Sequence, residues 1–372
     1  NWKMMARLSS IALGALLLIA CRSPVDCRPA DLSCNGLASL LLYSRVSLVR
    51  AAYLTDNVSN LLYSYSIDPT TGQPSLIGSI GTQVLPRGVA VHPAGYVYAA
   101  NETGGSISIY RILPGYSVSL VTHFNVGGGT PSALAINSAG TLLYVTRQGV
   151  SLVNSYWIDA STGLLSSTGF TGTTDATTNQ ISLHPTLPYA FTGGTGATSY
   201  GFLLGANGSF TTIPGAVTAT DTFYPLITPN GRYLLISDNG QSRVELFSVS
   251  QQNGALTALS PAFFSVGAAA GVSFVDASGT SLYVCIPISN SMRTFPMNST
   301  TGQPSAQSQA FSVSGGPYGL AMDPTNTYLF AAGGTTLYVF KRDSAGTLTQ
   351  IAQPTPGGAA FNKVAIYSTS NF

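Results

Sequence analysis

The residues best equipped for chemistry in this chain are polar side chains standing at the ends of short apolar segments. Arg87, Asn179, Gln180, Tyr224, Tyr318, Asn362 and Lys363 lead into such segments, and Asp56, Glu102, Arg147, Asp238 and Asn290 follow them. Both charge signs are present. Arg87, Arg147 and Lys363 would give a pocket the positive charge that holds a small polar or anionic ligand. A solvated rim of strand ends would carry the same residue types, and the types alone do not choose between the two. His92 and His184 each precede a proline in a turn, and Thr228-Pro229 and Asp323-Pro324 occupy related turns. The shared requirement there is a side chain that caps a turn, which an imidazole meets as well as a hydroxyl or carboxylate does. His123 stands apart in an outer strand, so no metal site is expected. The chain shows no nucleophile elbow, phosphate-binding glycine loop or Cys/His metal spacing, and no cofactor is expected. Cys285, alone in a strand pattern, reads as a small buried apolar residue.

What must position these residues is a repeat. The pattern Val89-Ala90-Val91-His92-Pro93-Ala94-Gly95-Tyr96-Val97-Tyr98 returns as Leu134 to Tyr144, Ile181 to Phe191, Leu226 to Leu235, Val272 to Tyr283 and Leu320 to Phe330. A second alternating segment and a glycine-bearing turn follow, as in Tyr65 to Gly72, Tyr156 to Gly163 and Phe295 to Gly302. The hexapeptide Thr-Thr-Gly-Gln-Pro-Ser stands at both 70–75 and 300–305. The interval is 46 residues from Tyr98 to Tyr144 and 47 from Tyr283 to Phe330. Four short strands at that period predict a propeller blade. Inner strands are expected near Arg87, Ser132, Gln180, Tyr224, Gly271, Tyr318 and Asn362, which makes seven. The last lacks its outer three strands, and these are expected at Ala51–Leu54, Leu61–Ile67 and Pro74–Ile80. The expected fold is therefore an all-β, seven-bladed β-propeller of four-stranded antiparallel blades, closed by N- and C-terminal strands that pair within one blade.

Composition agrees with strands and turns: 40 Gly, 21 Pro and 19 Tyr, with 45% hydrophobic and only 8% charged residues. With Lys3 and Arg7 set aside, 13 basic residues face 13 acidic ones, which argues against a nucleic-acid partner. Lys3 and Arg7 precede the apolar run Ile11–Ala20, too short to span a bilayer and suited to a signal peptide. Leu18-Ile19-Ala20-Cys21 resembles the lipobox of bacterial lipoproteins, with Cys21 as the acylated residue. The expected organisation is a signal peptide at 1–20, a tether at 21–43 and the propeller at 44–372. Cys27 and Cys34 of the tether would lie in a disulfide-permissive compartment and are free to pair or not.

The repeat over residues 44–372 resembles the seven-bladed lactonases that include bacterial 6-phosphogluconolactonases, and more loosely surface-layer propellers. In those lactonases a Pro-Arg-His turn leads into an inner strand and the next strand ends in Asn-Glu. The resemblance implies a catalytic set of that His, Arg and Glu. Here the match is Pro86-Arg87-Gly88, with Asn101-Glu102 after it, so Arg87 and Glu102 fit and glycine replaces the imidazole. Two functions are expected. The first is a lipid-anchored module of the bacterial cell envelope, held to the membrane by its N-terminal lipid, that binds a protein or glycan through one face. The second is a lactonase opening a sugar or related lactone, with Glu102 as base and Arg87 as electrostatic clamp. Arg147, Gln180, Tyr224, Tyr318 and Lys363 are the expected ligand contacts. The anchor and Gly88 weigh toward the first.

Overall fold

The second strand of each repeat reads as a near-continuous apolar run, and a strand buried on both faces requires that. The computed structural model describes residues 50–194, 198–219, 222–307, 309–356 and 360–368. Cys21, Cys27, Cys34 and the rest of the leader and tether lie outside the described residues. Tyr96–Asn101, Tyr189–Gly194, Tyr233–Asp238, Ser281–Ile286 and Tyr328–Gly333 are buried at every position. Outer strands such as Pro74–Gly81 and Val118–Asn125 instead alternate with solvent.

The strands form seven antiparallel four-stranded sheets. In the first blade Phe361–Ser368 is innermost, followed outward by Arg50–Asp56, Leu61–Ile67 and Pro74–Gly81. Lys363 pairs with Thr55, and Ala365 with Tyr53, so the expected closure is present. Phe361 anchors it: its ring meets Tyr63 edge-on at 5.2 Å and is buried in the cluster that also holds Tyr328 and Phe330. The sixth blade departs from the expectation. Its inner strand is only Ser273–Val275, although Gly271 N–H still donates to Cys285 O at 2.8 Å and Cys285 N–H to Val272 O at 2.9 Å; the partner strand Ser281–Ile286 then ends at Pro287, where Pro287–Ser289 coils into a short 3₁₀ turn. Proline offers no N–H to continue the ladder.

Blades lock together on the face that carries the turns after the inner and third strands. The hydroxyl of Tyr328 donates to Thr70 O at 2.7 Å, that of Tyr96 to Ser161 O at 2.6 Å, and that of Tyr233 to Thr300 O. Each acceptor belongs to an Asp- or Asn-initiated turn of the next blade, so the duplicated hexapeptide marks a tyrosine socket. Glycine is required in it: at Gly163 φ is +74° and a Cβ would stand 2.3 Å from Tyr96 Cδ1. The histidines do a parallel job. His92 Nδ1 accepts from Ala94 N–H at 3.0 Å while Nε2 donates to Gly140 O of the next blade at 2.6 Å. His184 accepts from Leu187 N–H at 3.0 Å and donates to Gly231 O at 2.9 Å. Asp323, Asp276 and Asn137 cap equivalent turns through Oδ1.

Gly163→Ala should therefore cost more than the ~1 kcal/mol of left-handed strain that an L-residue pays. Gly115→Ala is the control, since φ is +79° there with nothing within 4 Å of a Cβ. Urea unfolding of the two variants checks this, and equal losses would show that Tyr96 does not fill the socket.

Candidate active site

On the opposite face, the turns after the outermost and second strands surround the channel mouth, and a loop there sets Arg87 against Glu102. Leu85 adopts φ of +60°, a conformation that costs a side-chain-bearing residue about 1 kcal/mol. It is held by Asn60, whose Oδ1 accepts from Leu85 N–H at 2.7 Å, and by its carbonyl, which accepts from Glu102 N–H at 2.9 Å. Gln83 N–H donates to Asn101 Oδ1 at 3.2 Å. The loop thus wraps the turn that carries Glu102. From the first blade, Thr55 Oγ1 donates to Arg87 O at 2.8 Å. With both backbones fixed, Arg87 Nε lies 2.6 Å from Glu102 Oε2. The arginine side chain is 39% exposed and the glutamate 10%. Burial pushes the Glu102 carboxyl above the ordinary carboxylate range, and the Arg87 guanidinium opposes that rise.

Gly88 follows, and its backbone is pressed against the third blade. A Cβ at Gly88 would stand 2.4 Å from Ser132 O. The imidazole of the lactonase turn is therefore excluded here by the approach of two inner strands, as well as missing from the sequence.

Lys363 projects from the closing strand. Its Nζ lies 5.1 Å from the ring centroid of Tyr224, which belongs to the fifth blade, so the side chain reaches across the ring of blades. The contact has cation–π geometry. Burial, together with the nearby Arg87 guanidinium, pushes the ammonium down to about 8. Burial likewise pushes the Tyr224 hydroxyl up to about 12, with Tyr318 adding to the rise and Arg87 opposing it. Arg87, Lys363, Tyr224 and Tyr318 thus share one neighbourhood. Cys285, fully buried, adjoins it, and burial raises its thiol.

The other expected contacts stand differently. Arg147 is buried, and its Nε donates to Gly128 O at 2.8 Å and its Nη1 to Asn154 Oδ1 at 3.1 Å. Its guanidinium clasps a loop of its own rim. Asp56 accepts from Val58 and Ser59 N–H at 3.0 Å, Asp238 from Gln241 N–H at 2.9 Å, and Asn290 from Gly316 N–H at 2.8 Å. The two aspartates cap their own turns, and Asn290 ties to the loop that leads into the seventh blade. Gln180 is half-buried on the inner strand Thr178–Leu183. Sequence reasoning missed Thr55, Asn60 and Leu85, which aim Arg87. Leu85 precedes a proline, which biases it toward extended backbone and hides the left-handed turn. Among the described residues no group of three or more His, Cys, Asp or Glu could hold a metal ion, and no helix is long and apolar enough to cross a membrane.

Known proteins share this architecture. The sequence model of the family described as "Lactonase, 7-bladed beta-propeller" matches residues 50–179. No curated protein matches the chain. A solved structure of a protein from Lactobacillus plantarum superposes with a TM-score of 0.72 at 17% identity, covering 86% of this chain and 99% of that one. A putative 6-phosphogluconolactonase from Bacteroides fragilis gives 0.75 at 13% identity, with 86% and 98% covered. A periplasmic gluconolactonase from Pseudomonas aeruginosa gives 0.72 at 17%, with 87% and 99% covered. The chain is similar in fold to these propellers, and the stretch that matches the lactonase family is the one that carries Arg87 and Glu102.

Proposed function

We propose that the protein is a lactonase, a carboxylic ester hydrolase that opens a sugar or related lactone at the channel mouth. The observation that carries this reading is the Arg87–Glu102 pair, fixed by a strained loop within the stretch that matches the lactonase family. Glu102, with its carboxyl raised by burial, is suited to take a proton from water at neutral pH. The hydroxide equivalent adds to the lactone carbonyl, and Arg87 and Lys363 supply positive charge for the oxyanion. Collapse of the tetrahedral intermediate breaks the ring C–O bond, and the proton held by Glu102 passes to the departing alkoxide. The product is a hydroxy acid. Substrate entry must part the carboxylate from Arg87, the more exposed partner of the pair.

A second reading is a non-catalytic module that binds a protein or glycan through the same face. The tight approach at Gly88, which excludes the family's imidazole, favours it. In either case we place the propeller in the bacterial cell envelope, tethered through acylated Cys21. The leader supports this, and one neighbour of similar fold is described as periplasmic.

Glu102→Gln and Arg87→Ala should each lower kcat/KM on a hydrolysed lactone by at least about 100-fold with folding unchanged. A panel in which the wild-type chain opens no lactone would leave the binding module standing. The pH profile carries a sign. Activity should rise as Glu102 ionises and fall as Lys363 loses its proton near 8. Only Lys341 and Lys363 follow the leader, so the Lys363 ammonium can be followed by NMR. Between about 8 and the ordinary 10.5, the unfolded chain holds the Lys363 proton that the folded chain has lost. Stability should therefore rise with pH across that window through this group, and Lys363→Met should remove that rise. Cys21→Ser should release the protein from the membrane fraction; retention there would refute the anchor.

A further inference from the structure

A recess lies where the inner strand of the sixth blade begins, beside the proposed catalytic pair. Where the other blades present a full inner strand, this one presents only Ser273–Val275. Gly271 is packed so closely that a Cβ would stand 2.8 Å from Pro287 Cδ. The recess is a hollow of about 350 Å³ lined by Tyr224, Ala269, Gly271, Pro287, Ile288 and Tyr318, with Asn239 at its side. Aromatic and aliphatic side chains share its walls with polar groups in near-equal measure. Ile288 is 77% exposed and Tyr318 41% exposed. An isoleucine lifted so far into solvent on a short 3₁₀ turn buries almost nothing in the free protein. Asn239 is already engaged, its Nδ2 donating to Ala270 O at 3.3 Å. Tyr224 joins the hollow to the catalytic residues, since Lys363 stacks on its ring and Arg87 acts on its hydroxyl.

We infer that this hollow is a subsite for an alkyl or aryl substituent of the lactone, so that the preferred substrates carry an apolar group beside the ring that is opened. The inference rests on the lactonase reading for the word substrate, and on the hollow alone for the apolar group. Three features support it: the exposed side chains of Ile288 and Tyr318 on its wall, a size that suits a small-molecule substituent, and continuity through Tyr224 with the cations that would hold the oxyanion. Burying Ile288 and Tyr318 against such a substituent removes apolar surface from water, which favours binding in proportion to the area covered.

The test uses the full chain and two δ-lactones alike except for an alkyl tail. The tailed lactone should show a KM at least about tenfold lower, the size of effect that a few buried methylenes produce. Ile288→Asp should raise KM for the tailed lactone by a similar factor, leaving its kcat and both constants for the untailed lactone unchanged. No preference in the wild type, or equal effects of Ile288→Asp on both lactones, would overturn the inference. A tailed cyclic ether, which has no carbonyl to attack, separates the two readings by equilibrium dialysis. Saturable ether binding that is lost in Ile288→Asp, without hydrolysis of any lactone, would sustain the hollow and sink the lactonase. Absence of ether binding would overturn the hollow, as would a free hexose that displaces the ether at equal concentration.

Discussion

Pairing of Phe361–Ser368 with Arg50–Asp56 is the constraint on which the rest of this molecule depends. Without it the first blade has no inner strand, and a neighbouring blade face and two sheet edges meet water. The same pairing builds the candidate site. Lys363 lies on the closing strand opposite Thr55, and Thr55 in turn holds the carbonyl of Arg87. Closure and site assembly are therefore one event: the lysine that reaches over Tyr224 and the arginine that faces Glu102 are brought into place by the same ladder.

The electrostatics at the channel mouth have a consistent direction. Burial makes the Glu102 carboxyl easier to protonate and the Lys363 ammonium easier to deprotonate, so a base and a cation are drawn from opposite ends of the pH scale toward neutrality. Such convergence is a mark of sites that move protons, although structural ion pairs shift pKa values too. Here it coincides with a left-handed leucine whose strain the surrounding hydrogen bonds must offset. Backbone strain beside a candidate pair such as Arg87 and Glu102 is what a site held for chemistry or tight binding tends to show.

The blade architecture was legible because its signals are local. Alternation, turn glycines and the buried second strands declare themselves over ten residues or fewer, and the duplicated hexapeptide showed the repeat directly. The site was half legible. Arg87 and Glu102 could be proposed from the Pro-Arg and Asn-Glu pattern, and Lys363, Tyr224 and Tyr318 from their places at inner-strand starts. Arg147, Asp56, Asp238 and Asn290 occupy positions of the same kind, but they are engaged by backbone groups of nearby loops and, for Arg147 and Asp238, also by the side chains of Asn154 and Arg243. Whether a rim side chain turns to a loop or to the channel depends on backbone angles that composition does not carry. The shortening of one inner strand was hidden for a related reason: Gly271 and Val272 read as strand and still exchange backbone hydrogen bonds with Cys285, and only the turn at Pro287–Ser289 shows where the partner strand ends.

The tyrosine sockets and histidine caps all occupy the face away from Arg87 and Glu102. The ring is therefore fastened from below and open to revision from above. A descendant of this sequence could exchange the loops around the channel mouth, lose Glu102 or rebuild the wall at Ile288, and still inherit the tyrosine sockets and histidine caps that seat one blade on the next. A fold divided in this way can change its chemistry many times over without having to relearn how to close.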